Sequence, residues 1–227
     1  MNRLFSLFAG MFVWALLPGS AAAIVITSLD TPVAFAITQD IGGGMVLSAT
    51  GTVRVTSGFN SSSLVMEVIL NNASTLNGIP LTSIANVRLT GWGFGVDPDA
   101  TGVTFSDAAD AGLIDASLDN LPSLAGIEVC AWGGNNCSGG ANGGIQGGNN
   151  DAFALILAGH WGNSITFTPL GVRFHAAGGT FDFACPPNCA VIGSALAVNV
   201  PEPQTLALVG LGILALGAFG RRKRTQH

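Results

Sequence analysis

The chain has no tyrosine, a single lysine (Lys223) and few charges, 9% of its 227 residues, against roughly 25% in an ordinary soluble domain. Between Ile24 and Asn199 there are twelve Asp and Glu against three arginines (Arg54, Arg88, Arg173), a net charge of −9. No basic patch is available to meet phosphates, so DNA and RNA are excluded as partners. The missing charge also excludes a coiled coil with charged flanks and a solvated, charge-driven disordered chain. What takes the place of charge is glycine, 32 residues, together with Ser, Thr and Asn. Polarity carried this way is suited to a surface embedded in polysaccharide.

Long apolar runs occur only near the two ends. Leu4 to Leu17 is almost wholly apolar, follows Arg3, and is stopped by Pro18-Gly19-Ser20. Ala21-Ala22-Ala23 then offers the small-x-small pattern of a signal-peptidase site. Residues 1–23 therefore read as a secretory signal peptide, residues 24–199 as the body, and residues 200–227 as a second targeting segment. In that last segment Pro201-Glu202-Pro203 precedes an uncharged stretch, Thr205–Gly220, and the basic cluster Arg221-Arg222-Lys223-Arg224. Sixteen helical residues span about 24 Å, short of the roughly 30 Å hydrocarbon core, so 205–220 suits a temporary transmembrane helix. The basic cluster holds its end on the cytoplasmic side. The prolines keep the preceding peptide extended and open to a protease.

These three elements in this order resemble the PEP-CTERM protein-sorting signal of Gram-negative bacteria. The resemblance implies recognition by an exosortase-like peptidase, a membrane-embedded cysteine peptidase that cuts near the Pro-Glu-Pro motif. It also implies a location: the inner membrane as a sorting intermediate, then the cell surface or the extracellular space.

The body reads as strands. Val33–Ile37, Val53–Val55, Leu64–Leu70, Val87–Leu89, Ile127–Val129, Phe153–Leu157, Ile165–Phe167, Val172–Phe174 and Phe181–Phe183 are short and rich in Val, Ile, Thr and Phe. Gly, Asn, Ser and Pro clusters separate them. Period-two patterns at such intervals predict an all-β fold, an antiparallel β-sandwich of jelly-roll or immunoglobulin-like type with eight to ten strands. The Ala-rich stretch Asp107–Leu118, with Ser106 as a cap, is the only helix candidate in the body.

Export places the four cysteines in an oxidising compartment, where disulfides are the default. Short spacings favour Cys130–Cys137 and Cys185–Cys189, although three pairings are open in principle. Neither spacing matches the zinc knuckle. Two loops carry candidate sites. Gly133–Asn150 holds eight glycines and six Asn or Gln, and reads either as a flexible surface loop or as bare amides that meet a hydroxyl-rich ligand. Asp97-Pro98-Asp99-Ala100-Thr101-Gly102 opens like a calcium loop, with oxygen donors at Asp97, Asp99 and Thr101 and a turn glycine. Ala108 stands where the bidentate Glu should be, so a solvated acidic turn is the simpler reading. No other cofactor is expected.

Trp92 and Trp132 sit beside glycines, and an open indole stacks on a sugar ring. They define the alternative of a carbohydrate-binding module, calcium-assisted at Asp97 and Asp99, against filling of the core. Gly91-Trp92-Gly93-Phe94-Gly95-Val96-Asp97-Pro98, then Val129-Cys130, Cys137-Ser138-Gly139-Gly140 and Gly143-Gly144-Ile145, is an order similar to the "cistern" family of PEP-CTERM proteins. That resemblance implies no catalytic residue. The sequence has no Gly-x-Ser-x-Gly elbow and no His-Glu-x-x-His. His160 and His175 read as strand-end residues, and Glu67 and Glu128 as isolated on strands. The expectation is a non-enzymatic exported protein with a structural or adhesive role in extracellular polysaccharide or biofilm.

Overall fold

The computed structural model describes residues 23–82, 87–107, 112–138, 140, 143–177, 179–185 and the backbone of 189–192. Strands account for nearly all of its regular structure, and no helix occurs among the described residues. In chain order the strands are β1 (Ile24–Ile26), β2 (Val33–Gly42), β3 (Met45–Ser57), β4 (Ser63–Asn72), β5 (Thr75–Leu76), β6 (Ile79–Pro80), β7 (Arg88–Asp97) and β8 (Gly102–Asp107). They continue with β9 (Asp115–Ser117), β10 (Val129–Trp132), β11 (Ile145–Gln146), β12 (Asn150–Ala158), β13 (Ile165–Ala176), β14 (Gly179–Cys185) and β15 (Cys189–Ile192).

Two antiparallel sheets result. One has seven strands in the order β1-β13-β7-β10-β9, with β14 also on β13 and β11 on β7. The other has eight, β15-β2-β3-β4-β12-β8, extended by β5 and β6 beside β3. The sheets face each other across one core. Trp92 of the first stacks on Phe35 of the second at 6.2 Å and meets Phe153 edge-on at 6.1 Å. Phe94 packs edge-on to Phe167 at 5.1 Å. Alternation produces this core directly: β4 reads exposed Ser63, buried Leu64, and so on to buried Leu70 and Asn72.

The all-β sandwich agrees with the sequence reading, but the strands are longer and more numerous than the apolar runs indicate. Ile165–Phe167 and Val172–Phe174 are one strand, β13, kept continuous through Thr168-Pro169 by a register shift against β7. Of Val87–Leu89, Arg88 and Leu89 open a longer strand, because Gly91-Trp92-Gly93-Phe94-Gly95-Val96 continues the pleat. The helix expected over Asp107–Leu118 does not form at its described positions. Ser106 lies in β8 opposite Ala154, and Asp115–Ser117 pairs with β10 as β9. An Ala-rich dozen residues has no apolar stripe to bury, and neighbouring strand edges supply hydrogen bonds that outweigh its helix propensity.

The glycines of β7 have a specific role. Trp92, Phe94 and Val96 enter the core, so Gly91, Gly93 and Gly95 lie on the outward face. The connection from β9 to β10 folds back over that face. Leu121, Ile127 and the partly buried Leu124 form a second apolar cluster there with Cys130, Trp132 and Cys137. A Cβ on Gly93 would lie 2.7 Å from Ile127 Cγ2, and one on Gly171 of β13 would lie 2.7 Å from Leu124 Cδ1. At Gly95 the obstacles are two carbonyl oxygens, of Gly126 at 2.3 Å and of Thr168 at 2.4 Å. Only glycine lets the flap lie this close.

Candidate functional site

The β7–β8 crossover carries the chain from one sheet to the other and brings Asp99 and Ala100 against the flap. Together with Leu118, Asp119, Asn120, Ile127 and Glu128 they line an open pocket of about 430 Å³. Glu128 is placed by the pairing of Val129 with Phe94, which sets it beside Val96 at the Asp97 end of β7. Its N–H donates to Phe94 O at 3.0 Å, and its Oε2 accepts from Val96 N–H at 3.4 Å. Burial pushes the Glu128 carboxyl above its ordinary value; the Val96 N–H opposes this, and the charges of Asp99 and Asp97 add to it. Glu128 is therefore not isolated, as its sequence position suggests, but belongs to an acidic group with Asp97 and Asp99. Antiparallel register joins residues about thirty positions apart, and no local pattern announces it.

The candidate calcium donors are only partly gathered. Asp97 closes β7, Thr101 N–H donates to Ala158 O at 2.7 Å, and Gly102 opens β8. Among the described residues no three His, Cys, Asp or Glu side chains converge to hold a metal ion. The loop is a sheet-to-sheet crossover in which the glycine begins a strand.

Trp92 corrects the idea of an open indole. It is fully buried between the sheets, with Nε1 lacking a hydrogen-bond partner among the described residues. Trp132, 9% exposed, packs under the flap. Alternation decides both fates: Trp92 shares the inward side of β7 with Phe94, and Trp132 shares the outward side of β10 with Cys130. Neither offers a free ring face to a sugar.

Cys130 and Cys137 form a disulfide, Cα to Cα 6.0 Å, as their spacing suggests. Cys185 is also disulfide-bonded. The side chain of Cys189 lies outside the described residues, and with it the expected Cys185–Cys189 pairing.

Where it is described, the Gly-rich stretch is anchored to the sandwich at several amides, and Asn135, Asn136 and Ser138 between them are exposed. β11 pairs with the start of β7. Gly133 N–H donates to Thr90 O at 3.0 Å, Gly147 N–H to Val87 O at 3.0 Å and Gly148 N–H to Asn72 O at 2.7 Å. These three amides are used within the chain. Asn72, fully buried, fixes this region: its Nδ2 donates to Ile145 O at 2.9 Å and Val87 O at 3.3 Å, while its Oδ1 accepts from Ser74 Oγ at 2.7 Å. A buried amide with its bonds made specifies one arrangement of the backbone around it.

His160 is exposed and His175 lies on β13, opposite Thr180. Neither hydrogen-bonds to a serine or a carboxylate among the described residues. Arg173 Nη1 reaches both carboxylate oxygens of Asp182 at 2.9 Å, with both side chains nearly buried. Burial raises the Asp182 carboxyl above its ordinary value despite the opposing pull of Arg173.

The signal peptide, the helix 205–220 and the sorting residues Pro201, Glu202, Pro203, Arg221, Arg222, Lys223 and Arg224 lie outside the described residues. β15, the last described strand, ends at Ile192, with eight residues between it and Pro201. No curated protein and no solved structure matches the chain. The family match does not extend into the body, so the likeness of 91–145 to the cistern family stays an expectation. The model of the PEP-CTERM protein-sorting motif matches residues 199–224, and the chain carries that sorting motif behind its β-sandwich body.

Proposed function

We propose that this is an exported protein, sorted and cut by an exosortase-like peptidase, whose mature β-sandwich has a structural or adhesive role in extracellular polysaccharide or biofilm and performs no catalysis. The sorting motif at 199–224 carries the reading. A body with few charges and with Ser, Thr and Asn as its main polar groups supports it. So does the lack, among the described residues, of a histidine bonded to a nucleophile or a carboxylate. Cleavage removes the apolar helix and the basic cluster and leaves the sandwich free of the membrane. The test is fractionation of the host with the intact chain and with a truncation after Val200. The intact chain is expected at the surface or with extracellular polysaccharide. The truncated chain is expected to lose that retention. Equal distribution of the two would contradict the role of the motif.

A second reading rests on the pocket. Asp99, Asp119, Asn120 and Glu128 present acceptors to the hydroxyls of a sugar residue, and about 430 Å³ accommodates one. This replaces the tryptophan-based module expected from the sequence. Glycan binding lost in Asp99→Asn and Asn120→Ala would support it, and calcium-dependent binding would add the metal. Binding unaffected by either substitution would remove this reading.

A further inference from the structure

The outward face of the eight-stranded sheet has no cover among the described residues. Its strands β2, β3, β4, β12 and β8 present alanine, threonine, serine and a few larger apolar side chains. Ile69 is 45% exposed and Ile156 is 37% exposed. The face carries one ion pair, Arg54 with Glu67, cross-strand neighbours on β3 and β4 that are 41% and 49% exposed. No aromatic residue points outward from these five strands, so the face lacks the platform on which a sugar ring stacks.

We propose that this face is the interface of a homodimer in which two copies stack their eight-stranded sheets about a two-fold axis running parallel to the strands between β3 and β4. The register makes the face self-complementary under that operation. β3 and β4 exchange places, so Arg54 of one copy lies over Glu67 of the second, and Glu67 over its Arg54. The row Ala34-Thr52-Ile69-Ala152 lies over its own reverse, with Ile69 facing the smaller Thr52 and Ala34 facing Ala152. An axis across the strands through the same pair would instead put Arg54 over Arg54 and Glu67 over Glu67. An isologous contact requires this self-complementarity, and one central ion pair fixes the orientation. Under this operation β2, β3, β4 and β12 overlap one another, and four strands spaced about 4.8 Å apart and about 27 Å long offer about 520 Å² per copy, or about 1,040 Å² in total, which clears the roughly 1,000 Å² a specific interface needs. This inference is independent of the sorting and pocket readings.

The test is analytical ultracentrifugation of the protein as its host exports it, through the micromolar range. The wild-type protein is expected to sediment at twice the monomer mass. Ile69→Lys weakens association by about tenfold or more. Ile156→Lys repeats that measurement at a second exposed position, should the first variant not fold. Arg54→Glu alone and Glu67→Arg alone are expected to be monomeric, because each puts like charges across the interface. An equimolar mixture of the two is expected to form the heterodimer. An ion pair important only within one chain would not produce that rescue. A wild-type protein that stays monomeric would overturn the proposal. So would a dimer that persists in every variant, or a mixture of folded variants that fails to associate.

Discussion

The two sheets enclose the same core, yet their outward faces differ. On the seven-stranded sheet Gly91, Gly93, Gly95 and Gly171 leave a strip of the outward face without Cβ atoms, and a flap of the same chain lies there with Leu121, Leu124 and Ile127. On the eight-stranded sheet the corresponding positions keep their side chains, and nothing described covers them. The difference shows what glycine does in a strand. It weakens the strand by itself, but it allows a second layer to approach the backbone. Among the described residues, therefore, the chain covers one face with its own flap and leaves the other without one.

Glycine substitutions are expected to separate the two faces most strongly. Gly95→Ala forces a methyl group toward two backbone oxygens that cannot move independently, and is expected to cost about 3 kcal/mol. Gly102→Ala at the edge of the bare sheet meets only the Ala158 methyl at 3.4 Å, and is expected to stay within about 0.5 kcal/mol. Urea midpoints of the two variants measure this, and equal midpoints would contradict the account of the flap. Next is the disulfide under that flap. Cys130 and Cys137 are seven residues apart, and replacing both by serine is expected to cost about 2–3 kcal/mol. Hydrogen exchange should then rise first in 118–128; uniform exchange throughout the sandwich would show that the bond does not act on the flap.

A smaller effect comes from the pocket at the edge of the flap. Glu128 has a folded pKa above its ordinary 4.5, so the folded state binds its proton more tightly than the unfolded state does. Its contribution is most favourable below pH 4.5 and is lost as pH rises through the raised value. Asp182 acts with the same sign, starting from 3.8. The melting temperature is expected to fall across that window, and Glu128→Gln is expected to flatten the fall. An unchanged pH profile in the variant would remove Glu128 as a cause. The smallest effect belongs to the bare face: Ile69→Thr is expected to change the stability of the monomer by less than about 0.5 kcal/mol. Ile127→Ala, its counterpart under the flap, is expected to cost about 2–3 kcal/mol.

Sequence patterns gave the sandwich and the Cys130–Cys137 bond because both depend on local spacing. Val33–Ile37 and Phe153–Leu157 alternate or run apolar, and each became part of a strand. The site was less legible. The Gly-x-Gly-x-Gly run around Trp92 looks the same whether its glycines face water or a flap, and only the covering segment, about thirty residues later, decides which. Glu128 meets Asp99 through strand register, which no local window contains. Asn72 carried no signal beyond its type, yet its buried amide ties β4 to β7 and β11. The sorting segment was the opposite case, because its chemistry lies in three consecutive elements and needs no tertiary partner.

The most direct test of the central claim is the intact mass of the protein recovered from its host, fraction by fraction. The account predicts a species that begins near Ile24 and ends near Pro201-Glu202-Pro203, found at the surface or in the medium. A species that retains Arg221–Arg224 and stays in the inner membrane would contradict it.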